Sequence, residues 1–200
     1  MGQCCCCLLY AYLFEPPVVR VLMLGLDNGG KKTILARLGR VISFEPAVHF
    51  QVDTMDYKEL YIRSWDIGGC WQPKALWRHF YQYTEAVIFV VDCGDYDRIY
   101  DTRDAIHDIL RSAELRDARV LILANKQDLT FAMPLAQVLE VLEVEKLRGR
   151  VWHVQPTCAL TGAGVIEGIE WLHNQLVPQK SKSRATSSET TRRWKRGALT

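Results

Sequence analysis

The segment that most limits the fold is VVRVLMLGLDNGGKKTILARL, residues 18–38. An apolar, β-branched run from Val18 to Leu26 is followed at once by a glycine-rich turn, and then by a helical pattern from about Lys31 to Leu38. Strand, tight turn and helix in direct succession open a βαβ unit, whose next strand is reached by a crossover and whose sheet is covered on both faces. Gly25 and Gly30 have the spacing at which backbone N–H groups turn inward around a phosphate, with Asp27, Asn28 and Gly29 between them. Lys31 then sets a point charge on the outer phosphates, and Lys32 and Thr33 continue into the helix. A glycine-rich turn alone says little. Between a buried strand and a helix, with the lysine in place, it reads as a nucleotide-phosphate cradle.

The same alternation continues along the chain. FQVDTMD (Phe50 to Asp56) and LYIRSWDI (Leu60 to Ile67) read as a hairpin, and AVIFVVD (Ala86 to Asp92) and RVLILAN (Arg119 to Asn125) as strands buried on both faces. Helical faces are marked by Ile106, Ile109, Leu110 and Ala113, by Leu135, Val138, Leu139 and Leu142, and by Val165, Ile169, Leu172 and Leu176. The pattern predicts an α/β fold with a mostly parallel sheet, helices on both faces and an antiparallel edge. Two hundred residues, 48% of them hydrophobic, suffice for one such domain. We place it at 18–177, after an apolar segment at 1–17 and before a basic tail at 178–200. In such sheets ligands bind beyond the carboxyl ends of the strands, which is where the polar motifs fall.

Asn125-Lys126-Gln127-Asp128 follows the RVLILAN strand. The Asp128 carboxylate can accept both N–H donors on the Watson–Crick edge of guanine, for which adenine has no matching pair. Asn125 and the stem of Lys126 would support the base. A plainer reading is a polar turn at a strand end. In Thr157-Cys158-Ala159-Leu160, an amide at Cys158 or Ala159 could reach the base oxygen. In Trp65-Asp66-Ile67-Gly68-Gly69, Asp66 could hold a metal through water and the Gly69 amide could meet a terminal phosphate.

These four pieces, in this order, resemble the small GTPases, and most closely the ADP-ribosylation factor and ADP-ribosylation-factor-like family. GLDxxGK, WDIGG, LWRHFY, IFVVD, ELRDA, NKQDL, TCALTGAG and EGIEWLHNQL carry the resemblance from about Val18 to Leu176. It implies the P-loop small-GTPase fold, with six strands and five helices. It also implies GTP and GDP binding, and a switch that docks on membranes and engages effector and exchange-factor proteins as a monomer. By the same resemblance Phe50, Trp65 and Phe80 would form the apolar patch that effectors read; ordinary core packing would explain them as well.

Three departures from that pattern fall on one piece of chemistry. The residue after the loop lysine should be a threonine whose hydroxyl binds Mg²⁺. Lys32 stands there, with three donors and no lone pair when charged. Thr33 has a hydroxyl but lies about 100° further around the helix. The second metal hydroxyl, expected just before the hairpin, is replaced by Ala47 after Pro46, in a loop that looks about two residues short. The water-orienting glutamine after WDxGG is Cys70, a poor hydrogen-bond partner. No catalytic residue is therefore intact. The expectation is nucleotide binding with Mg²⁺ weakened or absent and hydrolysis very low. Lys32 would either swing its ammonium toward the β- and γ-phosphates or point to solvent.

The net charge of +2 hides an asymmetry. From Val177 onward seven basic residues, Lys180 to Arg196, face Glu189 alone, so the body is mildly acidic and the tail basic. That distribution does not suit a nucleic-acid-binding face. Cys4, Cys5, Cys6 and Cys7 are adjacent and cannot easily pair with one another, and Cys70, Cys93 and Cys158 show no framework spacing, which argues for a reducing compartment. Cys4 to Phe14 is too short to span a bilayer and lacks the basic flank of a secretory signal. Gly2, once Met1 is removed, is a myristoylation candidate, although the usual hydroxyl at the sixth position is Cys6. Cys4 to Cys7 are palmitoylation candidates, and two acyl chains anchor stably where one does not. LLYAYLF has no polar face, so it reads as a permanent anchor or as an apolar segment packed on the domain. The expected location is the cytoplasmic face of a Golgi, endosomal or plasma membrane. Two rivals remain: a pseudo-GTPase scaffold that binds partners regardless of nucleotide, and a P-loop ATPase or nucleotide kinase, which the NKQD motif opposes.

Overall fold

The first apolar run forms β1 (Val19–Leu24), and the sheet is built outward from it. The computed structural model describes residues 19–39, 41–47, 50–64, 81–147 and 149–177, with the backbone alone described for 42–47 and 50–52. The further strands are β2 (Ile42–Ala47), β3 (Phe50–Tyr57), β4 (Leu60–Ser64), β5 (Ala86–Asp92), β6 (Arg119–Asn125) and β7 (Trp152–Pro156). The described α-helices are α1 (Lys31–Leu38), α2 (Ile99–Leu110), α3 (Leu135–Val141) and α4 (Val165–Leu176). The sheet order is β2-β3-β4-β1-β5-β6-β7. β1 pairs in parallel with β4 and β5, and β5, β6 and β7 continue in parallel; β2–β3 and β3–β4 are antiparallel. This is the expected α/β fold with its antiparallel edge.

Alternation along each strand divides the core in two. Leu22, Leu24, Val87, Phe89 and Val91 face α2 and α3, meeting Ile106, Ile109 and Val138. Val21, Met23, Ile88, Val90, Leu121 and Leu123 face α1 and α4, meeting Ile34, Leu35, Ile169 and Leu172. Each such side chain, fully buried, contributes about 1.5–3 kcal/mol. Cys93, at the end of β5, belongs to this core, where burial pushes its thiol up to about 11 and keeps it protonated at neutral pH.

One strand differs from the sequence reading. Residues 42–47, read as a loop, pair with β3 as β2, through Ile42↔Thr54, Ser43↔Asp53 and Phe44↔Val52, with a shift of register before Ala47↔Phe50. Ile42 and Phe44 alternate with Ser43 and Glu45, a period-two signal that Pro46 masks. Proline is tolerated on an edge strand at an irregularity, which is where this one lies. The second hairpin strand is described as far as Ser64, with Trp65 to Ile67 outside the described residues; Ala113 belongs to a separate 3₁₀ turn, Ala113–Leu115, after α2. The apolar amino-terminal segment, Trp65 to Phe80 and the basic tail lie outside the described residues.

Candidate functional site

β1 stops level with Phe89, three residues short of the end of β5, so the glycine turn runs on beside Val90 to Asp92. The approach is close: a Cβ on Gly25 would lie 2.5 Å from the Val90 carbonyl oxygen. At Gly30, with φ of 95°, a Cβ would lie 2.4 Å from Asn125 Nδ2. Both positions therefore demand glycine. Asn28 takes the left-handed conformation, φ 60°, which asparagine tolerates better than most residues. Lys31 is only 5% exposed, and its Nζ donates to the carbonyls of Gly25 at 2.9 Å and Leu26 at 2.6 Å. A buried ammonium must be hydrogen-bonded, and here it draws the loop into a ring around itself. Gly30 caps α1 with no side chain of its own, so the cap residue makes no side-chain hydrogen bond to the first amides of that helix.

Asn125 ties the loop to the rest of the site. Its Nδ2 donates to the Gly29 carbonyl at 2.8 Å. Its Oδ1 accepts from the Ala159 N–H at 3.0 Å and from the Thr157 hydroxyl at 3.3 Å. The residue is buried, so its amide is committed to joining three loops rather than to a ligand edge. Thr157, which sequence reasoning did not single out, is part of that joint. Lys126 also has positive φ, 66°, and its ammonium pairs with Asp92, whose Oδ1 accepts from the Gly94 N–H at 2.9 Å. Asp128 is exposed, and among the described residues its carboxylate accepts no hydrogen bond. The Cys158 N–H is used inside its own loop, donating to Ala163 O at 2.9 Å, and the thiol accepts from Thr161 N at 3.4 Å. Beside Lys126 opens a cleft of about 510 Å³, lined in part by Asp92, Asp95, Asp97 and Phe131.

Lys32 is largely exposed, and its ammonium stands at the edge of ion-pair distance from an acid of the neighbouring strand. Its Nζ lies 3.9 Å from Asp53 Oδ2, with the lysine side chain 63% exposed and the carboxylate only 6% exposed. It leans toward β3 and a buried acid that sequence reasoning did not pick out. Thr33, one position later, is half-buried. Ala47 ends β2, paired with Phe50 and three strands from β1 in the sheet, and a methyl group offers no lone pair. Asp66, Gly69 and Cys70, together with Trp65 and Phe80 of the effector patch, lie outside the described residues, as do Gly2 and Cys4, Cys5, Cys6 and Cys7; of Phe50 the backbone alone is described. The donors present therefore fit a phosphate chain and a guanine base. At two of the positions that would supply metal ligands they do not fit Mg²⁺, because an ammonium and a methyl stand where hydroxyls are needed.

Arg98 adds a contact that no local signal announces. Its Nη1 donates to Asp27 Oδ1 at 2.7 Å, while Nε and Nη2 hold Asp95 Oδ2 at 2.7 and 2.6 Å. Hydrogen bonds donated to Asp95 first, and to Asp27 next, raise the guanidinium pKa above its ordinary range. The Asp95–Arg98 spacing is legible in the chain. The link to Asp27, 71 residues away, exists only in the fold.

Two comparisons with known proteins bear on this arrangement. Residues 9–176 match the model of the ADP-ribosylation factor family. Among solved structures, the chain is similar to the Arl6 (BBS3) small GTPase from Trypanosoma brucei, solved with the bound nucleotide analogue GppNp. The two are 30% identical with a TM-score of 0.66, over 78% of this chain and 96% of the other.

Proposed function

The chain belongs to the ADP-ribosylation factor family of small GTP-binding proteins, and from that premise we propose a membrane-associated guanine-nucleotide switch that binds GTP and GDP and scarcely hydrolyses GTP. The observation that carries the reading is the contrast within one loop. Lys31 and the Asn125 joint are intact, whereas Lys32 is turned to Asp53. Gly25 to Lys31, with the first amides of α1, would hold the phosphates, helped by the positive end of the helix dipole. Asp128 would read the guanine edge, with Lys126 and Ala159 beside it.

Mg²⁺ normally bridges the outer phosphates and neutralises their charge in this class. With Lys32 and Ala47 at the hydroxyl positions, such a bridge lacks both of its protein hydroxyls. Phosphoryl transfer depends almost wholly on positioning and charge compensation, and Cys70 cannot orient water as an amide does. Hydrolysis is therefore expected to be near background. Nucleotide exchange would control the presentation of an effector surface that includes Phe50, Trp65 and Phe80. Acyl chains on Gly2 and among Cys4 to Cys7 would hold the protein on a cytoplasmic membrane face, in keeping with a role in vesicle or membrane trafficking.

Calorimetric titration with GTP and GDP, with and without EDTA, tests the reading. Binding of both nucleotides that EDTA leaves largely unchanged is expected. Loss of nucleotide on chelation would refute metal-independent binding. Absence of binding in either condition would instead identify a scaffold that recruits partners regardless of nucleotide.

A further inference from the structure

On the sheet face that packs toward α2, two arginines stand on neighbouring strands with no acid between them among the described residues. The β1–β4 register sets Arg20 opposite Tyr61 and Leu22 opposite Arg63. Strand alternation therefore puts Arg20, Tyr61 and Arg63 on one face. The turn Gln82-Tyr83-Thr84, just before β5, closes the other side. Together they line a cleft of about 130 Å³, whose described lining contains no aspartate or glutamate. The Arg20 guanidinium lies 5.4 Å over the Tyr83 ring, and that of Arg63 lies 5.1 Å over Tyr61. Among the described residues neither arginine has a carboxylate within ion-pair distance.

Each feature is costly unless something uses it. Two like charges set diagonally on adjacent strands gain no cross-strand attraction from each other. Stacking on an aromatic ring covers one face of each guanidinium and fixes its plane, which leaves the N–H edges as donors without an acceptor among the described residues. Tyr83 has φ of 63°, a conformation that a bulky side chain rarely adopts, and it is 77% exposed. Nothing in the core asks for tyrosine there. A turn of this shape would form more readily with glycine or asparagine.

We propose that this cleft is a docking site for a partner protein, which inserts the carboxylate of one aspartate or glutamate between Arg20 and Arg63 while Tyr83 packs against the flanking chain. The cleft has room for a single acid group, and a planar carboxylate matches the fork of a guanidinium held edge-on. Arginine and tyrosine are also the residue types that dominate protein–protein hot spots. An anionic bilayer suits the surroundings less well. Asp56, opposite Tyr61 in the β3–β4 ladder, and Glu85, beside the turn, are both exposed. They repel an extended negative surface but leave room for one side chain to enter. The site differs in chemistry from the apolar patch of Phe50, Trp65 and Phe80, and it does not depend on how nucleotide is bound.

The test uses the full-length, unlipidated chain with a capped tetraglutamate peptide as probe, followed by NMR at the arginine Nε–H resonances. Saturable shifts at Arg20 and Arg63 are expected. The Arg20→Gln, Arg63→Gln double variant should weaken peptide binding by about tenfold while GDP affinity is unchanged. Tyr83→Asn should raise Tm by about 2–4 °C, because asparagine tolerates the turn, yet weaken peptide binding severalfold. A tyrosine of merely structural importance would not move these two readouts in opposite directions. No saturable shift with the peptide, or a double variant that binds as the parent does, overturns the proposal. Inorganic phosphate binding more tightly than the peptide, or phosphatidylserine vesicles shifting the same two resonances, overturns the acidic-protein occupant.

Discussion

Asn125 illustrates how a residue's identity and its task can separate. In the chain it belongs to a base-recognition motif, and in the molecule its amide is spent holding the phosphate loop to the loop after β7. Asn125→Ala removes the partner of the Gly29 carbonyl and of the Ala159 N–H in a buried setting. Unsatisfied groups of this kind cost about 1–3 kcal/mol each, so thermal unfolding should show a clear loss of stability and calorimetry a large loss of GDP affinity. Lys32, Ala47 and Cys70 make the opposite point, since on the proposed reading three separate losses fall on one reaction. Cys70→Gln alone should leave single-turnover GTP hydrolysis at background, because the metal hydroxyls are still missing. Lys32→Thr together with Ala47→Thr should instead make nucleotide binding sensitive to EDTA. Robust turnover by the unmodified protein would contradict both expectations.

At the scale of elements, the site is an edge made by several strand ends and the turns that follow them. The glycine turn is positioned by β1 ending early beside β5, and Arg98, at the start of α2, reaches back across the mouth of that turn to Asp27. Both partners are substantially exposed, 37% and 50%. Such a pair is worth about 0–1 kcal/mol, so Arg98→Ala should speed release of a fluorescent GDP analogue by no more than about fivefold. A larger effect would mean that the arginine also contacts the nucleotide. β1, β3, β4, β5, β6 and the four helices were legible because their apolar periods of two or 3.6, or their continuous apolar runs, are written locally in the chain. β2 was not, because Pro46 breaks its alternation and edge pairing follows rules that a proline can satisfy.

The whole molecule joins a mildly acidic folded body to a cysteine-rich, apolar start and a basic tail. Two acyl chains give stable anchoring, and basic residues near an anionic leaflet add about 1 kcal/mol each. Replacing Gly2 with Ala and Cys4 to Cys7 with Ser should therefore shift the protein from the membrane to the soluble fraction in flotation, while removal of residues 178–200 alone should weaken attachment and increase its salt sensitivity. Membrane retention by the first variant would refute the anchor.

The sequence by itself determined the fold class and the family, and it supplied the motifs on which the proposed phosphate cradle, guanine-reading carboxylate and missing metal hydroxyls rest. Each of these is written in contiguous residues, where spacing and functional group are enough. Only the tertiary structure decided that Asn125 serves the cradle, that Lys32 stands beside Asp53, that Arg98 reaches Asp27, and that Arg20 and Arg63 share a cleft whose described lining holds no acid. Those relations depend on strand order and register. The Asn125–Gly29 bond, for example, spans 96 positions of chain, a distance over which no local pattern carries information about who meets whom.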